Sequence, residues 1–169
     1  KYKPDLVLYE FGEQSLFRHN QVHSNLLSKA LDNSYTSIYK MSGNYLFDNV
    51  KQVHQIDNLK LRNDTLSFMS TGNDPFMFLP DIKSSENKCC IIKIDFTVPK
   101  QTLSQLFYLT DENAHFDGNH TIIMRAEKGR NVLSFYIPQK DFKRNPVRFD
   151  PGGESGLYTI HSIDIMEGE

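Results

Sequence analysis

Serine, histidine and carboxylate side chains are all present in this 169-residue chain, so hydrolytic chemistry is the first possibility to weigh. A serine attacks only when a base takes its proton and backbone N–H groups hold the oxyanion, an arrangement that Gly-x-Ser-x-Gly or Gly-Asp-Ser segments announce. Neither segment occurs. His19 and His23 are four apart and would share a helical face, but no third ligand follows them, and zinc takes at least three protein ligands. His54, His115, His120 and His161 are scattered over strands and loops without metal-ligand spacing. Glu10 and Glu13 would stand on a strand and its exit turn, where binding backbone amides or a basic partner competes with a role as paired acids. Asp164 is a single acid in the closing strand, too few for a structural Ca²⁺. Cys89 and Cys90 are adjacent, so on a strand they point to opposite faces and bridge each other poorly. One buried and one half-exposed thiol is the expectation. The chain reads as non-catalytic, with no cofactor and no metal.

Binding chemistry has a better candidate. Phe107 and Tyr108 lead into Asp111, Glu112 and Asn113, followed by His115 and Phe116. Apolar sugar faces stack on aromatic rings, and sugar hydroxyls need carboxylates and amides, so this stretch supplies both. Side chains alternate along a strand, so only one of Phe107 and Tyr108 can face outward. Tyr108, Phe116, His115, Asp111 and Asn113 are the expected ligand-facing set. The competing reading puts the aromatic residue in the core and leaves the loop merely solvated. Three other residues read as structural anchors. Asp74 and Asp150 each precede a proline, where a carboxylate accepts backbone N–H bonds in a turn, and Arg148 shares a strand face with Asp150.

The elements that must position these groups are strands. The closing segment runs from Val147-Arg148-Phe149 through an Asp150-Pro151-Gly152-Gly153 reversal into the alternating stretch Leu157 to Ile165. Strands are predicted near 53–61, 64–70, 75–79, 89–98, 104–110, 120–127, 130–137, 146–149 and 157–166, separated by Gly, Asn, Asp and Pro turn signals. Lys128-Gly129-Arg130-Asn131 is a hairpin signal. So many strands without intervening helices predict an antiparallel β-sandwich or jelly roll. Before residue 50 the texture differs. Leu6–Phe11 is a continuous apolar run of parallel-sheet type, residues 22–31 carry the one helical stripe, and Ser42-Gly43-Asn44 reads as a turn. The predicted division is a strand-helix extension and connector over 1–50 and a β-domain over 51–169.

Composition agrees. Twelve Phe and eight Tyr favour strands, and Trp is absent, so any sugar platform must be built from Phe and Tyr. Nineteen basic residues stand against 21 acidic ones, and no basic run interleaves with aromatics, so nucleic acid is not an expected partner. No stretch approaches the length of a membrane span. The start, Lys1-Tyr2-Lys3-Pro4-Asp5, leads into only six strand-like residues, so no signal peptide is expected and the chain reads as part of something longer.

The β-domain resembles the jelly-roll modules appended to bacterial enzymes of surface-polysaccharide assembly, glycosyltransferases among them. The resemblance rests on Thr71 to Pro80, on Gln105-Leu106-Phe107-Tyr108, and on the closing strands Val147 to Gly152 and Ile160 to Ile165. Residues 2–16 resemble the last core strand of SGNH-type hydrolase-like domains of polysaccharide O-acetyltransferases; Glu10 and Glu13 match that pattern and Gln14 stands where Arg is usual. The resemblances imply an accessory domain that binds or positions an exported polysaccharide or oligosaccharide for an upstream catalytic domain of the same protein. They also leave open a part of an SGNH-type O-acetyltransferase whose catalytic residues lie upstream, or a purely structural, protein-docking sandwich. The SGNH resemblance implies a periplasmic, extracytoplasmic or cell-surface location, and attachment to a glycosyltransferase a cytoplasmic one.

Overall fold

The computed structural model describes residues 35–83, 88–110, 115–137 and 143–168, with residues 52, 143 and 144 described by their backbone alone. The expected strand Leu6–Phe11, the helix over 22–31, and Glu10, Glu13, His19 and His23 lie outside the described residues. So do Asp111 and Asn113. The chain divides between Ser34 and Tyr35, and the unit beginning at Tyr35 holds every described residue.

That unit is an antiparallel β-sandwich. In chain order it contains β1 (Tyr35–Met41), helix α1 (Gly43–Asn49), β2 (Lys51–His54), β3 (Ile56–Arg62), β4 (Thr65–Ser70) and β5 (Phe76–Phe78). There follow β6 (Cys89–Val98), β7 (Thr102–Leu109), a 3₁₀ turn (Gly118–His120), β8 (Thr121–Ala126), β9 (Gly129–Ile137), β10 (Lys143–Asp150) and β11 (Gly156–Gly168). One sheet has the order β3-β4-β11-β6-β9, with β1 also paired to β11; the other has the order β2-β5-β10-β7-β8. β11 is the spine of the first sheet. Its first half pairs with β4, its second half with β1, and β6 accompanies it throughout on the other side.

Alternation explains why these segments pair this way. On β6, Cys90, Ile92, Ile94, Phe96 and Val98 are all buried, and on β11 Tyr158 and Ile160 and, beyond a register shift between Ile160 and Ser162 that reverses the phase strict alternation gives, Ile163 and Ile165 are buried opposite them. The second sheet contributes Met77, Leu106, Val147 and Phe149 to the same core. Phe149 meets Phe96 and Phe135 of the facing sheet edge to face, at centroid distances of 5.6 and 6.1 Å, a geometry that adds to the area each ring buries. Tyr158 stacks on Phe68 and donates its hydroxyl to the Glu154 carbonyl at 2.8 Å, closing the last turn from inside the core. Gly152 is required in that turn. Its φ of 147° suits glycine, and a Cβ there would collide with Thr102. The thiols lie as expected, Cys90 buried and Cys89 half-buried.

Three features differ from the sequence reading. The single strand predicted over 53–61 is two strands in different sheets. The break is Gln55, at φ 49°, where the chain steps from one sheet to the other. Residues 43–49 form a helix where a turn was predicted, because Leu46 fills the core at no exposure and tertiary burial outweighs the local turn signal. Residues 35–41, assigned by texture to a connector, form β1 against β11, with Met41 fully buried. The apolar residues of this mostly exposed strand follow no regular alternation, which is why it read as connector.

The outer face of the first sheet carries several polar pairs among exposed apolar side chains such as Val132, Tyr136 and Leu157. Ser67 and Thr159 share a hydrogen bond of 3.2 Å, Thr97 and His161 one of 2.9 Å, and Arg130 grips Asp95 through two bonds of 2.8 and 2.7 Å. The Arg130 hydrogen bonds hold the Asp95 carboxyl below the usual carboxylate range, against the opposing effect of its burial. A folded-state pKa below the unfolded value of about 3.9 stabilises the protein above that pH, and the contribution is lost as pH falls through the folded value. Denaturant unfolding is therefore expected to show a loss of stability on acidification below about pH 4 that is smaller in Arg130→Gln. An identical acid response in that variant would remove the pair from the account. The effect is small, because the guanidinium is well exposed.

Candidate functional site

The outer face of the second sheet is different. Inward residues of its strands, Met77 on β5, Val147 and Phe149 on β10, and Ser104 and Leu106 on β7, fix the phase of each strand. The alternate positions then turn outward together: Phe76 and Phe78, Arg148, and Gln105 and Phe107. Register sets them side by side. Arg148 lies opposite Phe78 on one neighbour and opposite Phe107 on the other, Lys51 lies opposite Phe78, and Thr121 opposite Phe107. This row crosses all five strands, about 19 Å at the usual strand spacing.

Arg148 is the centre of the row. Its guanidinium carbon sits 3.9 Å from the Phe76 ring centroid and 5.0 Å from that of Phe107. Nε and Nη2 donate to the two carboxylate oxygens of Asp150 at 2.7 and 2.6 Å, and Nη2 also donates to Asp74 at 2.9 Å. The three residues read from sequence as turn anchors are thus brought into one cluster. Burial pushes the Asp150 carboxyl above the usual carboxylate range, and the paired guanidinium pulls it back down. Phe76 is covered on both sides, by Arg148 from β10 and by His54 from β2, whose ring stacks on it at 4.9 Å. The rings left to meet a ligand are Phe78, Phe107 and Phe116. Phe116 packs against Phe78 at 5.5 Å and extends the apolar strip beyond the sheet.

Beside Phe78 the strip runs into a cleft of about 230 Å³ lined by Lys51, Leu79, Asp81, Asn145 and Pro146 as well as Phe78 itself. Lys51 and Asp81 pair across it at 2.9 Å. The Asn145 side-chain oxygen accepts from the Ile82 N–H at 2.9 Å and holds the cleft wall in place. Strip and cleft form one continuous surface through Phe78.

Of the residues expected to face a ligand, Phe116 is on this surface and His115, its chain neighbour, is exposed. Tyr108 is not on it. It is only 7% exposed and lies in the core, with its ring edge-on to His120. Phe107 takes the outward position instead. Leu103, Leu106 and Leu109 fall on both phases of β7, so alternation within this strand cannot choose between the two aromatics; the pairing of Phe107 with Arg148 decides it. Phe76, Phe78, His54 and Gln105 were missed as site residues. The readable signal was Phe76-Met77-Phe78 after the Asp74-Pro75 turn, a strand with rings on both outward positions. Among the described residues no group of three or more His, Cys, Asp and Glu is placed to hold a metal ion.

No protein-family model matches the chain, and no curated protein matches it. Solved structures share its fold. The second N-terminal cellulose-binding domain of Cellulomonas fimi β-1,4-glucanase C superposes with a TM-score of 0.53 at 6% identity, over 79% of this chain and 99% of that one. A carbohydrate-binding module of Cellvibrio mixtus lichenase 5A, solved with cellotriose, gives 0.51 at 12% identity over 79% and 100%. A low-affinity xylan-binding module from Roseburia intestinalis gives 0.50 at 12% identity over 78% and 96%. At such identities the likeness is one of fold.

Proposed function

We propose that the unit beginning at Tyr35 is a non-catalytic carbohydrate-binding module that holds a polysaccharide or oligosaccharide on the outer face of its five-stranded sheet. The observation that carries this reading is the strip of Phe78, Phe107 and Phe116 around a clamped arginine, on the outer face of the five-stranded sheet. Its fold is that of the carbohydrate-binding modules described above, which supports the reading without naming the sugar. Rings supply apolar surface for the C–H faces of sugars, and the amide and guanidinium groups between them supply hydrogen bonds for hydroxyls. A row of outward side chains about 19 Å long, with these rings in it, suits a short run of sugars in an extended chain.

The wider setting belongs to the same proposal. The module would keep an exported or cell-surface glycan near an upstream catalytic domain of the same protein, to which residues 1–34 would belong, raising local substrate concentration without tight binding. The SGNH-like segment at residues 2–16 favours an O-acetyltransferase as that domain. Docking of another protein on this face is the alternative.

An open strip leaves the ligand half hydrated, so dissociation constants on the order of 0.1–1 mM are expected. Heteronuclear NMR titration of the chain with soluble oligosaccharides should shift the amides of β5, β7 and β10. Phe107→Ala and Phe78→Ala should each weaken binding several-fold while the fold is kept, since both rings are on the outer face. Shifts confined to the outer face of the other sheet, or none with any glycan, would leave protein docking as the better account.

A further inference from the structure

Arg148 has five N–H donors, as every guanidinium does. Three bonds, from Nε and Nη2, go to Asp150 and Asp74. Among the described residues Nη1 has no partner, so its two N–H groups remain available on a side chain that is 19% exposed. The group cannot swing, because two carboxylates fix one edge and two rings hold it between them. It is a rigid donor with apolar walls. On the neighbouring strand Gln105 lies opposite Asp150 in the ladder and turns to the same face. Its amide, half-buried, has no hydrogen-bond partner among the described residues, and it can both donate and accept.

Charge narrows what this pair can bind. Arg148 is outnumbered by its two carboxylates, so the cluster carries a net negative charge. Lys51 is matched by Asp81 and Arg125 by Glu127 at 2.9 and 2.8 Å. Each of these two cations of the face thus has its own anion. A carboxylate brought against Arg148 would meet Asp150 and Asp74 at close range in a partly desolvated site, where like charges repel strongly. An uncharged oxygen would not. Two hydrogen-bonding groups on adjacent strands, one a pure donor and the other of both kinds, match two neighbouring hydroxyls.

We propose that Gln105 and the free Nη1 edge of Arg148 form the polar pair that sets ligand choice on this face, selecting an uncharged glycan with adjacent free hydroxyls over a carboxylated or O-alkylated one. The proposal rests on the glycan-binding reading and adds the class of sugar to it.

Affinity gel electrophoresis of the full chain tests it, with soluble xylan, mixed-linkage β-glucan and galactomannan as neutral probes, and polygalacturonate and alginate as acidic ones. Methylcellulose serves as the O-alkylated control. At least one neutral polymer should retard the protein, and the acidic polymers and methylcellulose should not. Gln105→Ala removes no core contact, so its melting temperature should be unchanged while its affinity for the retarding polymer falls roughly threefold to tenfold, the loss of one or two net hydrogen bonds. Stronger retardation by polygalacturonate or alginate than by any neutral polymer would overturn the choice of sugar and leave the binding face standing. Undiminished affinity in Gln105→Ala would overturn the role of the pair. If no polymer retards the wild-type chain, the glycan-binding reading falls and takes the pair with it.

Discussion

A chain beginning at Tyr35 is expected to unfold in one cooperative transition, and a chain beginning at Gln52 is expected to lose that transition at room temperature. The second truncation removes β1 and α1 and with them Met41 and Leu46, both fully buried. Deleting a buried Met or Leu side chain costs about 2–5 kcal/mol, and a domain has only about 5–15 kcal/mol in total. The truncation also strips the second half of β11 of one of its two ladders, over the residues from Ile163 to Gly168. Circular dichroism with heat, and denaturant titration read by near-ultraviolet signal, separate the cases. Cooperative melting of the shorter chain near the temperature of the longer one would show that the domain boundary belongs near residue 50, where the change in sequence texture puts it, and that β1 is dispensable.

Arg148→Ala should be the most damaging single substitution on the candidate face, costing about 3–5 kcal/mol near neutral pH. Asp150 is nearly enclosed, 12% exposed at its side chain, and removing one member of such a pair leaves a buried charge without compensation. Asp74 is well exposed, so Asp74→Asn should cost less than about 1 kcal/mol. The pH dependence gives the sign. With Arg148 gone, burial and the nearby Asp74 charge act on Asp150 unopposed and raise its folded pKa further above the unfolded value of about 3.9. A raised folded pKa means stability present at low pH and lost as pH rises through it. The variant's deficit should therefore shrink on acidification toward pH 4. A deficit independent of pH would mean that lost packing against Phe76 and Phe107, and not the orphaned carboxylate, dominates. Arg148→Met, which restores apolar bulk between the rings, distinguishes the two causes a second time.

The sandwich was legible because burial imposes alternation. β6 carries apolar residues at every second position and β9 does so at Leu133, Phe135 and Ile137, and the turns between strands are built from Gly, Asn, Asp and Pro; on β11 a register shift between Ile160 and Ser162 changes the phase, which unbroken alternation does not foresee. What could not be read was decided between strands. Gln55 looks like any residue of an apolar-polar run, and nothing in its neighbours says that the chain changes sheets there. β1 has too few core residues to show a phase. The clamp of Arg148 on Asp150 was half visible, since residues two apart on a strand share a face; the contribution of Asp74 depends on β5 lying beside β10. The same limit applies to Phe107 and Tyr108. Two adjacent aromatics satisfy either phase, and only the identity of the opposing residue on β10 breaks the tie.

The antiparallel pairing of Tyr35 with Gly168 has a mechanical consequence. Tension entering the unit at Tyr35 and leaving at Gly168 pulls two neighbouring strands apart from the same end. The hydrogen bonds between them are then loaded one after another, as in a zipper, and part at low force. A load arriving on the outer face through a bound polymer, and drawn along β5, β10 and β7, would instead shear their ladders, stressing many bonds at once. The unit would be compliant where it is leashed and stiff where it grips.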